Sequence, residues 1–355
     1  MSGWAARSLP VMSRRALTLL VAGIAVVIAA AMAAVLPVPY VILSPGPTLN
    51  TLGTGPGGQP LIDIKGHPVN RTVGNLNMVT VDFQGGPGDE INIFTALRAW
   101  LDPHDAVVPQ QEVFGTSGSA QQVQQQDVEQ MANSQQVATA AALCQLGIRF
   151  QTVDTIVATE KGMPAAGVLS KGEVITAVNG QPVGCRADPS TLLRRVRAGT
   201  TVELTIRRGS QLRRIRIRTT QFQGYPVIGV QIVESFVFPF AVKINIGNIG
   251  GPSAGLMFAL GIIDKLGPVN LTGGRFIAGT GEIEPNGTVQ PIGGIQQKMV
   301  GARSKGATVF LTPAANCQDA AGAVPAGMRL IKVSTLAGAV SALEALKAGR
   351  PTPAC

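Results

Sequence analysis

Histidine is nearly missing from this chain, with two in 355 residues. His67 and His104 both lie in proline-containing stretches far from the glycine-rich motifs, which argues against a Ser-His-Asp triad. No Cys-x-x-Cys pair occurs among the four cysteines, so a structural zinc site is excluded by spacing. No metal and no cofactor is expected. Aromatic residues make up 4% of the chain. The net charge is +9, but the basic stretch 194–218 has no interleaved aromatics and does not read as a nucleic-acid platform. Gly-x-x-x-x-Gly-Lys-[Ser/Thr] is absent, so no phosphate-cradling loop of that type is present. No acidic residue precedes Asp63.

What stands at the N-terminus is a membrane signal. Arg7, Arg14 and Arg15 precede an uncharged apolar run, residues 16–36, long enough to cross a bilayer. Positive charge in front predicts a cytoplasmic N-terminus and an extracytoplasmic remainder. The alternative is a cleaved signal peptide with Ala31-Met32-Ala33 as its cleavage site. The apolar run is longer than an ordinary signal core, so an uncleaved anchor is the preferred reading. Cys144, Cys185, Cys317 and Cys355 suit an oxidising compartment. Four cysteines allow three pairings, and Cys355 at the end of the sequence is most simply tied to Cys317.

The organising stretch is Gly250-Gly251-Pro252-Ser253-Ala254-Gly255. The pattern predicts Ser253 at the N-terminus of a buried helix that runs to Leu266, with Pro252 in its first turn. Ser253 is then either a nucleophile or merely the helix cap. Lys298 falls on a second predicted helix, residues 295–304. It shares a face with Gly294, Ile295, Gly301 and Ala302, while Gln296, Gln297 and Arg303 take the other side. A lysine on an apolar face must snorkel, find a partner or lose its proton. A neutral amine can serve as a general base for a serine.

Gly251-Pro252-Ser253-Ala254-Gly255, Thr280-Gly281-Glu282-Ile283 and residues 291–298 together resemble the signature segments of Lon-type serine proteases. The resemblance covers roughly residues 235–345. It implies Ser253 as nucleophile, Lys298 as its base and Thr280 as the residue that positions the lysine. Backbone N–H groups around Gly250 to Ala254 are the expected oxyanion donors, with Gly251, Pro252 and Ala254 shaping the turn. One departure stands out. Many Lon proteases carry an acidic residue three positions before the serine, and this chain has Gly250. Residues 162–183 resemble a bacterial PDZ module, which binds an extended peptide by adding it to a sheet.

The expected fold is α+β: a transmembrane helix, a PDZ domain and a Lon-type proteolytic domain. The expected boundaries are a cytoplasmic tail (1–15), an anchor (16–37), an extracytoplasmic segment packing on the protease (38–150), the PDZ domain (151–222), the proteolytic domain (223–348) and a tail (349–355). The function read from this is an ATP-independent extracytoplasmic serine endopeptidase acting on unfolded or membrane-associated polypeptides. The membrane bilayer and further copies of the chain are expected partners; nucleic acid is not. The rivals are a membrane-tethered PDZ adaptor with an inactive protease fold, and a small-molecule kinase using a glycine-rich turn for phosphate.

Overall fold

The computed structural model describes residues 13–115 and 119–355. Arg7 and residues 116–118 lie outside the described residues. The chain divides into two compact units: residues up to Ser44 with Asp82–Gln121, and Pro45–Val81 with Gln122–Cys355. The stretch 38–150, read from sequence as one segment, is thus shared between the two.

In the first unit, helix α1 (Arg14–Val35) buries none of its residues, and its length and composition suit a membrane span. Pro37–Val38 follows it and pairs with Ile91–Asn92. Helix α2 (Ile93–Trp100) starts there, capped by the Asn92 side chain, which accepts from the Thr95 amide. Tyr40–Leu43 pairs with Ala106–Pro109, which leads into the short α3 (Gln110–Phe114). A small core of Ile42, Ile91, Ala96 and Ala99 holds these pieces together.

The second unit holds three cores of its own, two on the faces of its larger sheet and one in its smaller sheet. Its larger sheet runs in the order Arg329–Val333, Val309–Pro313, Phe276–Gly279, Asn75–Gln84, then the later half of Tyr40–Asn50. The pairings of Phe276–Gly279 with both of its neighbours are parallel. Side chains alternate across such a sheet, and both faces are covered. Leu76, Met78, Ile277 and Leu311 face one core, which α4 (Ala120–Gln145) also enters through Met131, Val137 and Ala141. Val79, Ala278 and Phe310 face the other. This explains why the strand at Asn75–Gln84 is buried on both faces from Leu76 to Val79, Asn77 included.

The smaller sheet orders Gln211–Arg218, Thr201–Arg208, Val174–Val178, Gln151–Thr159 and Val230–Val237. Helix α5 (Pro189–Arg194) packs on it, with Asp188 as its cap and proline first. The boundary expected at residue 223 assigns the stretch near residue 230 to the proteolytic domain. The structure instead pairs Val230–Val237 along the whole of Gln151–Thr159. Its alternation identifies a strand but does not say which sheet it joins.

Helix α6 (Gly255–Leu266), α7 (Ile295–Ser304), α8 (Cys317–Ala321) and α9 (Leu336–Lys347) complete the larger layer. Disulfides join Cys144 at the end of α4 to Cys185 just before α5, and Cys317 at the start of α8 to Cys355. The second encloses a 38-residue separation. Replacing Cys317 and Cys355 by serine is expected to lower stability by about 2–4 kcal/mol through loop-closure entropy. A urea midpoint equal to that of the parent would show that the tail contributes nothing.

Candidate active site

Thr280 directly follows the central strand Phe276–Gly279, and the turn before α6 and the helix α7 both converge on it. The Lys298 Nζ donates to Ser253 Oγ at 2.8 Å and to Thr280 Oγ1 at 3.2 Å. Thr280 Oγ1 in turn donates to the Ser253 carbonyl at 2.9 Å. The Gly281 amide reaches the same carbonyl at 2.8 Å. The serine backbone is therefore pinned by two donors while its hydroxyl faces the amine. Lys298 is 3% exposed and Thr280 1%, whereas Ser253 keeps part of its surface open. Burial lowers the Lys298 ammonium from its ordinary range to about 7. The three residues singled out by sequence are thus in one hydrogen-bonded group.

Two local details differ from the expectation. Helix α6 begins at Gly255 rather than at Pro252, and Ala254 is its cap residue, without a side-chain bond. Ser253 does not cap the helix. The Leu256 amide donates to the Gly281 carbonyl at 2.9 Å, so a neighbouring turn satisfies that part of the first turn. Gln297, assigned by the helical wheel to the polar side, is buried with Lys298. The face of α7 is wider than a single stripe because the helix lies against glycines. A side chain at Gly301 would meet the Gly46 carbonyl at 3.0 Å.

Gly250 has a steric reason. A Cβ there would stand 2.6 Å from the Asp127 Cβ on α4, and the Gly251 amide donates to the Asp127 carbonyl at 3.2 Å. The space that an acidic side chain at position 250 would need is occupied by Asp127, whose carboxyl is pushed up by burial. Gly251 adopts φ +83°, a conformation open to glycine. Ser134 on α4 donates to the Pro252 carbonyl at 3.0 Å. Among the described residues, no hydrogen bond engages the amides of Ser253 and Ala254. Asn316 exchanges two bonds with the Ile292 backbone, both at 2.9 Å, and so holds the glycine turn before α7. Asp127, Ser134 and Asn316 escaped sequence reading, since each is a common polar residue whose contact is distant along the chain.

Comparison with known proteins agrees with this architecture. Residues 144–219 match the model of the PDZ domain, and residues 243–343 match the Lon protease (S16) C-terminal proteolytic domain. The chain therefore contains a PDZ domain and a Lon-type proteolytic domain. It is 42% identical over 71 residues to the Lon protease of Heliobacterium modesticaldum, covering 19% of this chain and 8% of that protein. It is 37% identical over 87 residues to Lon protease 2 of Bacillus subtilis, covering 24% of this chain and 15% of that protein. The matches thus span a small fraction of these curated relatives. Among solved structures, the PDZ domain of an SdrC-like protein of Listeria monocytogenes is 24% identical, covers 22% of this chain and 86% of that one, and has a TM-score of 0.21.

Proposed function

We propose that this protein is a membrane-anchored serine endopeptidase that works outside the cytoplasm without ATP, through Ser253 and Lys298. The observation that carries the reading is the 2.8 Å contact between Ser253 Oγ and the amine of a buried lysine. A lysine whose proton is released near neutrality is matched to general-base work. In this mechanism Lys298 takes the hydroxyl proton as Ser253 Oγ attacks the scissile carbonyl. The amides of Ser253 and Ala254 stabilise the oxyanion. Lys298 then gives the proton to the leaving amine, and water hydrolyses the acyl-enzyme with the lysine again as base. Thr280 orients the amine. The burial of Lys298 favours this reading over a tethered adaptor, in which the lysine has no reason to give up its hydration.

Three features support the proposed compartment and its independence of ATP. Arg14 and Arg15 are the first two residues of α1, which orients it with its N-terminus inside. Two disulfides suit an oxidising environment. Nothing in the sequence resembles a phosphate-binding loop. Substrates are unfolded or membrane-associated polypeptides. A cavity of about 220 Å³ between α5 and Val230–Val237, lined by Leu193, Tyr225, Ile228 and Ile232, offers the PDZ domain a peptide groove. Assembly into a ring of like copies is part of the proposal.

The test is cleavage of casein by the full chain in lipid vesicles without nucleotide, beside its Ser253→Ala variant. Cleavage by the parent alone is expected. Equal cleavage by both removes Ser253 from the reaction, and cleavage that begins only on adding ATP removes nucleotide independence.

A further inference from the structure

Helix α2 is packed the wrong way round for a water-soluble surface. The residues it turns inward are small, Ala96 and Ala99, at 5% and 6% exposure. The large apolar ones point out: Phe94 is 50% exposed, Leu97 46%, Trp100 72%, and Leu101 just beyond the helix 79%. At 3.6 residues per turn these four fall within an arc of about 120°. Single exposed apolar residues are ordinary, but four sharing one side of an eight-residue helix form a patch that water does not favour.

The position of the patch names its partner. Asn92, the cap of α2, donates from Nδ2 to the Ala34 carbonyl at 2.9 Å, in the last turn of α1. Pro37–Val38, the first residues after α1, pair with Ile91–Asn92, the last residues before α2. The start of α2 is thus fastened to the end of the span. With α1 across a bilayer, α2 lies at the level where the chain leaves the hydrocarbon. A tryptophan belongs at that depth, with its ring in the interface and its N–H toward water. Arg98 is exposed on the same helix, and its stem can follow the apolar side while the guanidinium reaches the phosphates.

We infer that α2 is an interfacial membrane-docking helix that inserts Phe94, Leu97, Trp100 and Leu101 into the outer leaflet, giving the extracytoplasmic part a second hold on the lipid beside α1. The inference rests on α1 being the anchor, and the experiment separates the two. The chain has two tryptophans, so Trp4→Phe leaves Trp100 as the only reporter. The full-length variant is reconstituted in phosphatidylcholine vesicles, washed with alkaline carbonate, and its emission read with acyl chains brominated near the headgroup or near the chain end. An interfacial helix sits about 5–10 Å into the headgroup–acyl boundary, so near-headgroup bromine is expected to cut emission about two-fold or more, and terminal bromine much less. Release from the vesicles at alkaline pH overturns the anchor and the docking together. Retention with no quenching and a water-like emission overturns the docking alone. Retention with a blue-shifted but unquenched emission assigns the patch to another protein surface and overturns the lipid assignment.

Discussion

Lys298→Met is expected to abolish peptide cleavage while leaving the protein as stable as the parent or more so. Methionine fills nearly the same volume without an amine, so the small-residue pocket around position 298 stays packed. Thr280 keeps its bond to the Ser253 carbonyl, and the Ser253 hydroxyl, partly open, can turn to water. In the proposed mechanism catalysis then loses its base. Removing one member of an interdependent catalytic pair costs at least about 10³-fold and up to about 10⁶-fold in turnover. The stability change has a sign that pH reveals. The folded state holds Lys298 near pH 7 against 10.5 for the free side chain. Below pH 7 the buried ammonium weighs fully on the fold. Between about 7 and 10.5 the unfolded chain binds the extra proton, so parent stability rises with pH. The gain from methionine is therefore largest at acid pH and fades toward pH 10.

In the proposed mechanism the same lysine sets the activity profile of the parent. The base must be neutral, so kcat/KM is expected to climb with pH and reach half its plateau near 7. Paired measurements of kcat/KM and thermal midpoint across pH on parent and variant check both halves. A variant with residual, pH-independent cleavage within ten-fold of the parent would mean that another group serves as base. A variant that loses activity together with several degrees of stability would make Lys298 a packing residue.

Much of this site is legible in the sequence because its parts are local. Ser253 sits in a glycine-rich turn before an apolar run, and Lys298 sits on the small-residue face of a short helix. Each pattern can be read within ten residues. Their meeting cannot, and it is supplied by Thr280 at the end of a central strand. Gly250 shows the limit more sharply. It looked like a missing acid, yet the cause is Asp127 on α4, whose Cβ fills the room. Such contacts between distant segments leave no periodicity to detect. Val230–Val237 carries the same lesson for the fold, since its alternation announces a strand but leaves its sheet open. Gln297 was misplaced because a helical wheel assumes one buried side, and α7 is enclosed over more of its circumference.

Asp154→Asn is expected to raise the thermal midpoint at pH 8 and to change it little below about pH 4, where Asp154 is protonated in both states. Asp154 and Glu234 stand directly opposite on Gln151–Thr159 and Val230–Val237. Neither Asp154 Oδ2 nor Glu234 Oε1 has a hydrogen-bond partner. Burial pushes Asp154 up to about 6, and the neighbouring Asp188 adds to it. Burial, then Asp154 and Asp188, push Glu234 up to about 7. The other neighbour of Asp154 in the sheet, Ile175, is apolar and gives no relief. Along the buried side of Val230–Val237, Ile232 packs with the PDZ core and Phe236 with the protease core. The carboxyl pair thus lies where the two cores adjoin. For a carboxyl raised in the folded state the penalty is absent below the unfolded value and complete above the folded one. Stability is therefore lost as pH rises from about 4 to about 7. Glu234 is partly open to solvent, which screens the repulsion, so the net effect is of order 1–2 kcal/mol. Asparagine removes one charge and places an amide donor opposite Glu234. Midpoints from calorimetry at about pH 3.5 and at about pH 8 decide the matter: equal shifts at both values would mean that the substitution acts through packing, and a loss at the higher pH would mean that the carboxylate of Asp154 holds the two cores together.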